Sequence, residues 1–267
     1  MSERVITFTT DFGEGSSYVA QMKAAALSVN ARAVLLDVTH SIGPQDVRHG
    51  ALVLADATPY FPSGTIHVCV VDPGVGTRRK IVYARIGDQR FIAPDNGLLS
   101  LVAGRQTPAE IVAVTTPRYW RQPVSATFHG RDIMAPVAAH VSLGVQPRQL
   151  GTALPELVQL DWPEVDRGLD ALAGNVVLVD HFGNLITNIT RDMVPPRVAP
   201  DELFVTCGTH ERFAMVQTYG QASQGTAVAL FGSNNRLEIA VTNGNAARTL
   251  RCDVGDSVHM TWTPKEA

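Results

Sequence analysis

Cysteine is scarce in this chain. Residues 69, 207 and 252 are odd in number and far apart, and no CxxC spacing occurs. Reduced, mostly buried thiols in a cytoplasmic protein are therefore expected. Basic blocks are missing as well, and the net charge is −3. That leaves no electrostatic footprint for nucleic acid or an anionic membrane surface. No apolar run reaches spanning length, and a strand starts almost at once (Val5 to Thr9), so neither insertion nor export is expected. Compact HxH or HxD ligand pairs are absent.

What is present is an ordinary globular composition, 45% hydrophobic and 18% charged over 267 residues. One large or two modest domains can be built from it. The densest stretch runs from Thr65 to Arg79. Its apolar, β-branched first half, opened by Gly64, reads as a buried strand. It ends in Asp72-Pro-Gly-Val-Gly76, a sharp turn that presents Asp72 at the strand tip, with Arg78 and Arg79 just beyond. Open α/β sheets bind ligands at the carboxyl ends of their strands. Taken alone, the stretch is as readily an Asp–Arg pair that locks a turn.

The strand Arg4–Thr10 precedes a helix capped by Ser16 or Ser17, with Tyr18, Met22, Ala25, Ala26 and Val29 on one face. A strand at Ala33–Val38 and a helix from about Pro44 to Tyr60 lead into the 65–71 strand. This alternation predicts a mostly parallel, Rossmann-like sheet with right-handed crossovers. Strands at 80–86, 90–93 and 110–114 follow, with Pro94-Asp-Asn-Gly97 opening an apolar helix among them. Thr127-Phe-His-Gly-Arg-Asp132 runs into another helix ending near Leu143, which puts His129 at or just before its amino end.

Composition shifts after about residue 154. Short β-like runs at 175–179, 185–190, 202–206, 212–218, 226–231, 237–242 and 257–262 predict a small all-β domain, barrel or sandwich. The expected organisation is an α/β domain over 1–155, a linker over 156–173 and an all-β domain over 174–267.

Polar punctuation recurs at strand ends: Asp11, Asp37 with His40, Asp72, Asp95-Asn96, His129 with Arg131-Asp132, and Asp180 with Asn184. Such loop-tip residues would suit a metal-dependent phosphoesterase. Against that, nearly every cluster includes an arginine or a glycine. His40, His49, His67 and His140 read as packed or solvated residues, and Asp37 and Asp95 as turn or cap residues.

Together, Thr10-Asp-Phe-Gly13, Asp37-Val-Thr-His40, Val70-Val-Asp-Pro-Gly-Val-Gly-Thr77, Ala93-Pro-Asp-Asn-Gly97, Thr127-Phe-His-Gly-Arg-Asp132, Asp180-His-Phe-Gly-Asn184 and Gly232-Ser-Asn234 resemble the S-adenosylmethionine (SAM) hydroxide adenosyltransferases. These SAM hydrolases are related to the fluorinating and chlorinating enzymes. The resemblance spans nearly the whole chain, in order. It implies displacement of methionine from C5′ of SAM by hydroxide, giving adenosine, with no cofactor and no metal. It implies Asp72, Arg79 and His129 as the water-activating set, with Arg78 as the rival arginine. It implies Asp11 on the ribose hydroxyls, and Thr127 and Phe128 along the ribose and C5′. Asp180 would take the methionine amine, Phe182 and Asn184 the adenine, and Ser233 and Asn234 the methionine carboxylate. A homotrimer with sites at subunit interfaces is implied too. His129 and Gly130 differ from the halogenases, where the histidine is replaced and the fluorinase type has serine for the glycine, so hydroxide is favoured over halide. Ser16 stands where a carboxylate is common, and Asn235 where glycine usually follows Ser-Asn. A non-catalytic SAM-binding module is the other alternative.

Overall fold

The computed structural model describes residues 5–262, which divide into two compact units, 1–161 and 162–267. Arg4, the expected start of the first strand, lies outside the described residues.

In the first unit the elements run β1 (Val5–Thr10), α1 (Ser17–Val29), β2 (Val34–Thr39), α2 (Val47–Ala57), β3 (Ile66–Val70), β4 (Ile81–Ile86), β5 (Gln89–Pro94), α3 (Ser100–Arg105), β6 (Pro108–Val114), α4 (Ala135–Ser142) and β7 (Gly151–Ala153). One sheet takes the order β2-β1-β3-β5-β4-β6-β7. The β1–β2, β1–β3 and β3–β5 pairs are parallel. The pairs β4–β5, β4–β6 and β6–β7 are antiparallel. The sheet is thus mixed, and the expected Rossmann-like parallel character belongs to its β2–β5 half alone. The cause is local: only Gly87 and Asp88 separate β4 from β5, and two residues can close a hairpin but not a crossover.

β3 lies in the parallel half, between β1 and β5, and all five of its residues are buried. Its side chains alternate, as strand geometry requires. Ile66, Val68 and Val70 join Phe8, Met22 and Met134 on the face that carries α1 and α4. Cys69 packs on the opposite face with Leu54, Phe91 and Leu98. α1 begins at an N-cap, Ser16, whose side chain accepts the Tyr18 N–H. Of the face expected to pack, Met22, Ala25 and Ala26 are buried, but Tyr18 is 54% exposed.

The second unit holds β8 (Asp166–Arg167), β9 (Ala171–Val179), β10 (Leu185–Thr190), β11 (Leu203–Cys207), β12 (His210–Met215), β13 (Ala227–Phe231), β14 (Arg236–Val241), α5 (Ala246–Leu250) and β15 (Ser257–Trp262). The order β10-β14-β13-β12-β11-β15-β9, with β9 also pairing β10, closes a seven-stranded barrel, and β8 adds to β9 outside the circuit. The barrel, rather than the sandwich, is what forms. Among the described residues no helix is long and apolar enough to cross a membrane.

Candidate active site

Asp72 lies two residues past the last residue of β3, and its turn folds back because Gly76 adopts φ +76°, a region that glycine enters without strain. A Cβ on Gly76 would sit 2.4 Å from the Ala126 carbonyl oxygen, so this glycine also lets the turn touch the loop that leads to His129. Asn96 fixes the chain just before Asp72: its Nδ2 donates to the Val71 carbonyl at 2.9 Å, while its Oδ1 accepts the Leu98 N–H.

Arg79 reaches back across that turn. Its Nε donates to both Asp72 carboxylate oxygens at 2.9 Å, and its Nη2 donates to Oδ2. The same Nη2 lies 2.9 Å from Nδ1 of His129. The pair is enclosed, with side chains only 10% (Arg79) and 4% (Asp72) exposed. Arg78, the rival, is exposed. The structure therefore brings Asp72, Arg79 and His129 into one hydrogen-bonded chain centred on the guanidinium.

A guanidinium can only donate, so Nδ1 of His129 must accept, and the neutral ring carries its proton on Nε2. Burial and then the Arg79 charge hold the His129 pKa below the ordinary histidine value, against the opposing pull of Asp72 and Asp132. His129 caps a π-turn, Gly130–Met134, that runs straight into α4. Single π-turns of this kind are frequent at functional sites. Gly130 packs closely there: a Cβ would come 3.2 Å from Met22 Sδ and 3.4 Å from Val70, so those side chains would have to give.

The Asp11 loop is held by a separate chain of contacts. Thr10 Oγ1 accepts the Phe12 N–H and bonds His40 Nδ1 at 2.9 Å. His40 Nε2 is 3.0 Å from Asp37 Oδ1, and Lys23 meets Asp37 Oδ2 at 2.6 Å. The Asp37-Val-Thr-His40 motif is thus a strut beneath the loop. Asp11 itself accepts the Gln45 N–H at 2.8 Å on Oδ2. Phe12, Tyr18 and Phe128 meet edge to face with centroids 5.2–5.8 Å apart, and the Arg131 guanidinium lies over Phe128 at 4.9 Å. Thr127 is exposed beside Phe128, its N–H on Ser125 Oγ.

In the barrel unit, Asp180 and Asn184 form one turn. Asp180 Oδ1 accepts the Phe182 and Asn184 N–H groups, and Asn184 Nδ2 donates to Oδ2 at 2.9 Å. Phe182 projects outward, 74% exposed. Gly183 has φ +86°, and a Cβ there would lie 2.0 Å from Asn245. Ser233 and Asn234 are exposed in the turn between β13 and β14. Asn235 follows with φ +64°, the left-handed conformation that asparagine tolerates best after glycine, which accounts for its place there.

Two groups near these residues, Tyr219 and Glu238, were not singled out from sequence, and a third, Asp132, was read only as part of a motif and given no role. Asp132 is fully buried with two arginines on it. Tyr219 donates to Glu238 Oε2 at 2.6 Å behind Gly232, whose missing Cβ makes room for the Glu238 carboxylate. Burial holds the Glu238 pKa above the ordinary value, outweighing the Tyr219 hydrogen bond, and Asp180 adds to the rise. Only the run Arg131-Asp132 left any trace in sequence. Among the described residues no group of three His, Cys, Asp or Glu side chains could hold a metal ion.

Comparison with known proteins places these motifs in context. The model of the SAM hydroxide adenosyltransferase N-terminal domain matches residues 6–151, and that of the C-terminal domain matches 174–259. An (R)-S-adenosyl-L-methionine hydrolase of Salinispora tropica is 38% identical, over 96% of this chain and 97% of its own. A fluorinase of Nocardia brasiliensis is 28% identical over 96% of each. The crystal structure of an uncharacterised conserved protein from Thermotoga maritima superposes with a TM-score of 0.91 at 36% identity, covering 96% of this chain and 99% of that one.

Proposed function

The chain belongs to the SAM hydroxide adenosyltransferase family, and from that premise we propose that it hydrolyses S-adenosyl-L-methionine to adenosine and L-methionine, with Asp72, Arg79 and His129 preparing the attacking water. The observation that carries this reading is the Arg79 guanidinium shared between Asp72 and His129.

The sulfonium of SAM is already a good leaving group. As the C5′–S bond breaks, sulfur takes the electron pair and leaves as the neutral thioether of methionine. The demanding partner is the nucleophile, because bulk water has a pKa near ~15.7. A fixed guanidinium and the His129 Nε2–H favour developing negative charge on the oxygen, and each unit of pKa lowering is worth about 1.4 kcal/mol. Oxygen bonds to C5′, and the surplus proton passes to solvent. Asp72 keeps the guanidinium aimed, and only a neutral His129 can accept from it, so the cluster works above the histidine's depressed pKa. His129 therefore acts as a hydrogen-bond donor toward the water rather than as a proton acceptor at Nε2.

The remaining assignments belong to the same proposal. Asp11 would bind the ribose hydroxyls, Thr127 and Phe128 line C5′, and Asp180, Phe182, Asn184, Ser233 and Asn234 hold adenine and methionine. The reading includes a homotrimer with shared sites, which mixed Asp72→Ala and Asp180→Ala subunits test by regaining activity. It needs no cofactor, and three free, buried cysteines support a cytoplasmic location. The phosphoesterase alternative has little support, because Asp37, Asp95 and Asp132 are each engaged by protein donors.

The decisive test is product analysis with SAM in ¹⁸O-water. Adenosine bearing ¹⁸O at the 5′-oxygen is the expected result; intact SAM, or adenosine without label, refutes the proposal.

A further inference from the structure

The loop that delivers Thr127, Phe128 and His129 has neither strand nor helix from 121 to 128. Something other than a backbone ladder must hold it, and one residue meets its start and middle through its side chain and its end through its main chain. Asp132 is fully buried, and both of its oxygens are occupied. Oδ1 accepts Arg131 Nε at 2.7 Å and Arg121 Nη1 at 3.1 Å. Oδ2 accepts Arg131 Nη2 at 2.8 Å and the Ser125 N–H at 2.9 Å. The main chain of the same residue adds two bonds: its carbonyl accepts the Arg121 N–H at 2.8 Å, and its N–H donates to Phe128 O at 3.1 Å.

Arg131, gripped in this fork, does two further things. Its Nη1 donates to Gln21 on α1 at 2.9 Å, and its guanidinium covers the Phe128 ring. Asp132 thus ties the loop to itself, to α1 and to the ring next to His129. A buried carboxylate is an expensive way to fill space, since an apolar residue of similar volume is often neutral or stabilising. Burial alone would raise its pKa, but the hydrogen bonds from Arg131, the Ser125 N–H and Arg121 prevail and keep it ionised.

We propose that Asp132 is the positioning residue of this active site, fixing the 121–129 loop so that His129 Nδ1 meets Arg79 and Phe128 faces the substrate. The inference rests on the hydrolase reading. It has an electrostatic corollary. The charged groups acting on His129 are Arg79, Asp72 and Asp132. Of these Arg79 acts most strongly and disfavours the protonated ring, so a loop that lets His129 leave Arg79 makes the ring easier to protonate, by more than the lost Asp132 charge opposes.

The test compares wild type, D132N and R131K in an assay for adenosine release across pH. In D132N, kcat falls on the order of 10- to 100-fold, the effect of misplacing a reacting group. KM rises as well, but by less than kcat falls, because the same loop presents Phe128 to the substrate. The acidic limb of the kcat/KM profile moves to higher pH, because His129 leaves the Arg79 charge. R131K loses the fork, lowers kcat and moves the limb in the same sense; it serves if D132N does not fold. A folded D132N, or in its absence R131K, with wild-type kcat overturns the inference. So does a D132N whose kcat drops with no shift of the limb, which marks a merely structural residue. Wild-type protein that leaves SAM intact overturns the hydrolase reading and this inference together, whereas an active wild type with an indifferent D132N overturns this inference alone.

Discussion

Replacing Asp72 with alanine strands a cation. Arg79 would keep one acceptor, Nδ1 of His129, where it now also holds a carboxylate through Nε and Nη2. With the arginine side chain 10% exposed and the aspartate 4%, water does not screen this pair as it screens a surface bridge. Breaking one partner of an enclosed pair costs roughly 3–5 kcal/mol. The turn lies at a strand tip where water can re-enter, so the lower end applies, about 3 kcal/mol. For a unit of this size that corresponds to a melting shift of roughly 6–12 °C. The double variant Asp72→Ala/Arg79→Met removes both charges and should regain most of the loss, giving a coupling of about 2 kcal/mol or more. Scanning calorimetry of wild type, both single variants and the double variant closes the cycle. Either of two outcomes refutes the reasoning: a single variant that loses less than about 1 kcal/mol, or a double variant as unstable as the two singles added together.

Other expectations follow from the same geometry. His129→Ala should bind SAM almost as wild type does while releasing adenosine far more slowly; calorimetric titration beside a product assay separates the two, and lost binding would make His129 structural. His67 is buried, hydrogen-bonded to Thr7 Oγ1 at 2.7 Å and stacked on Phe91, and burial pushes its pKa from 6.5 down to about 4. A depressed histidine leaves stability complete above pH ~6.5 and erodes it as pH falls toward ~4, by about 3 kcal/mol in all. Urea unfolding at several pH values should show this slope in wild type and lose it in His67→Phe; an unchanged slope would count against the assignment. Gly130→Ser should cost about 1–3 kcal/mol by crowding Met22 and Val70, and adding chloride should not turn the variant into a halogenase. Activity should survive exhaustive chelation, and a loss restored by a divalent cation would revive the metal-dependent alternative.

Much of this was legible along the chain, for reasons that differ by element. β3 and its turn could be read because a buried strand, a fixed proline and two glycines leave a strong local signature. The barrel strands showed through their alternation and turn residues. The antiparallel β4–β5 hairpin was also written locally, in a connection too short to cross over, yet the strand–helix rhythm before it outweighed that signal. β7, β8 and α5 span three, two and five residues, too short for any period to register. In the candidate site, no local pattern links residue 129 to residues 72 and 79; only the resemblance to a family of whole chains joined them. The Tyr219–Glu238 pair lacked even that, and Asp132 stood in a family motif without a role, since their partners meet through packing, and a buried carboxylate looks the same in sequence as one capping a turn.

The closed circuit of the barrel, finally, limits how this second unit could recruit company. A cylinder spends its amides and carbonyls on its own neighbours, and among the described residues only the two-residue strand β8 hangs outside the ring. Unlike an open sheet, such a surface cannot be extended by a visiting strand. Whatever docks on it must be recognised through side chains and loop tips, so affinity there should be tunable one residue at a time without touching the backbone scaffold.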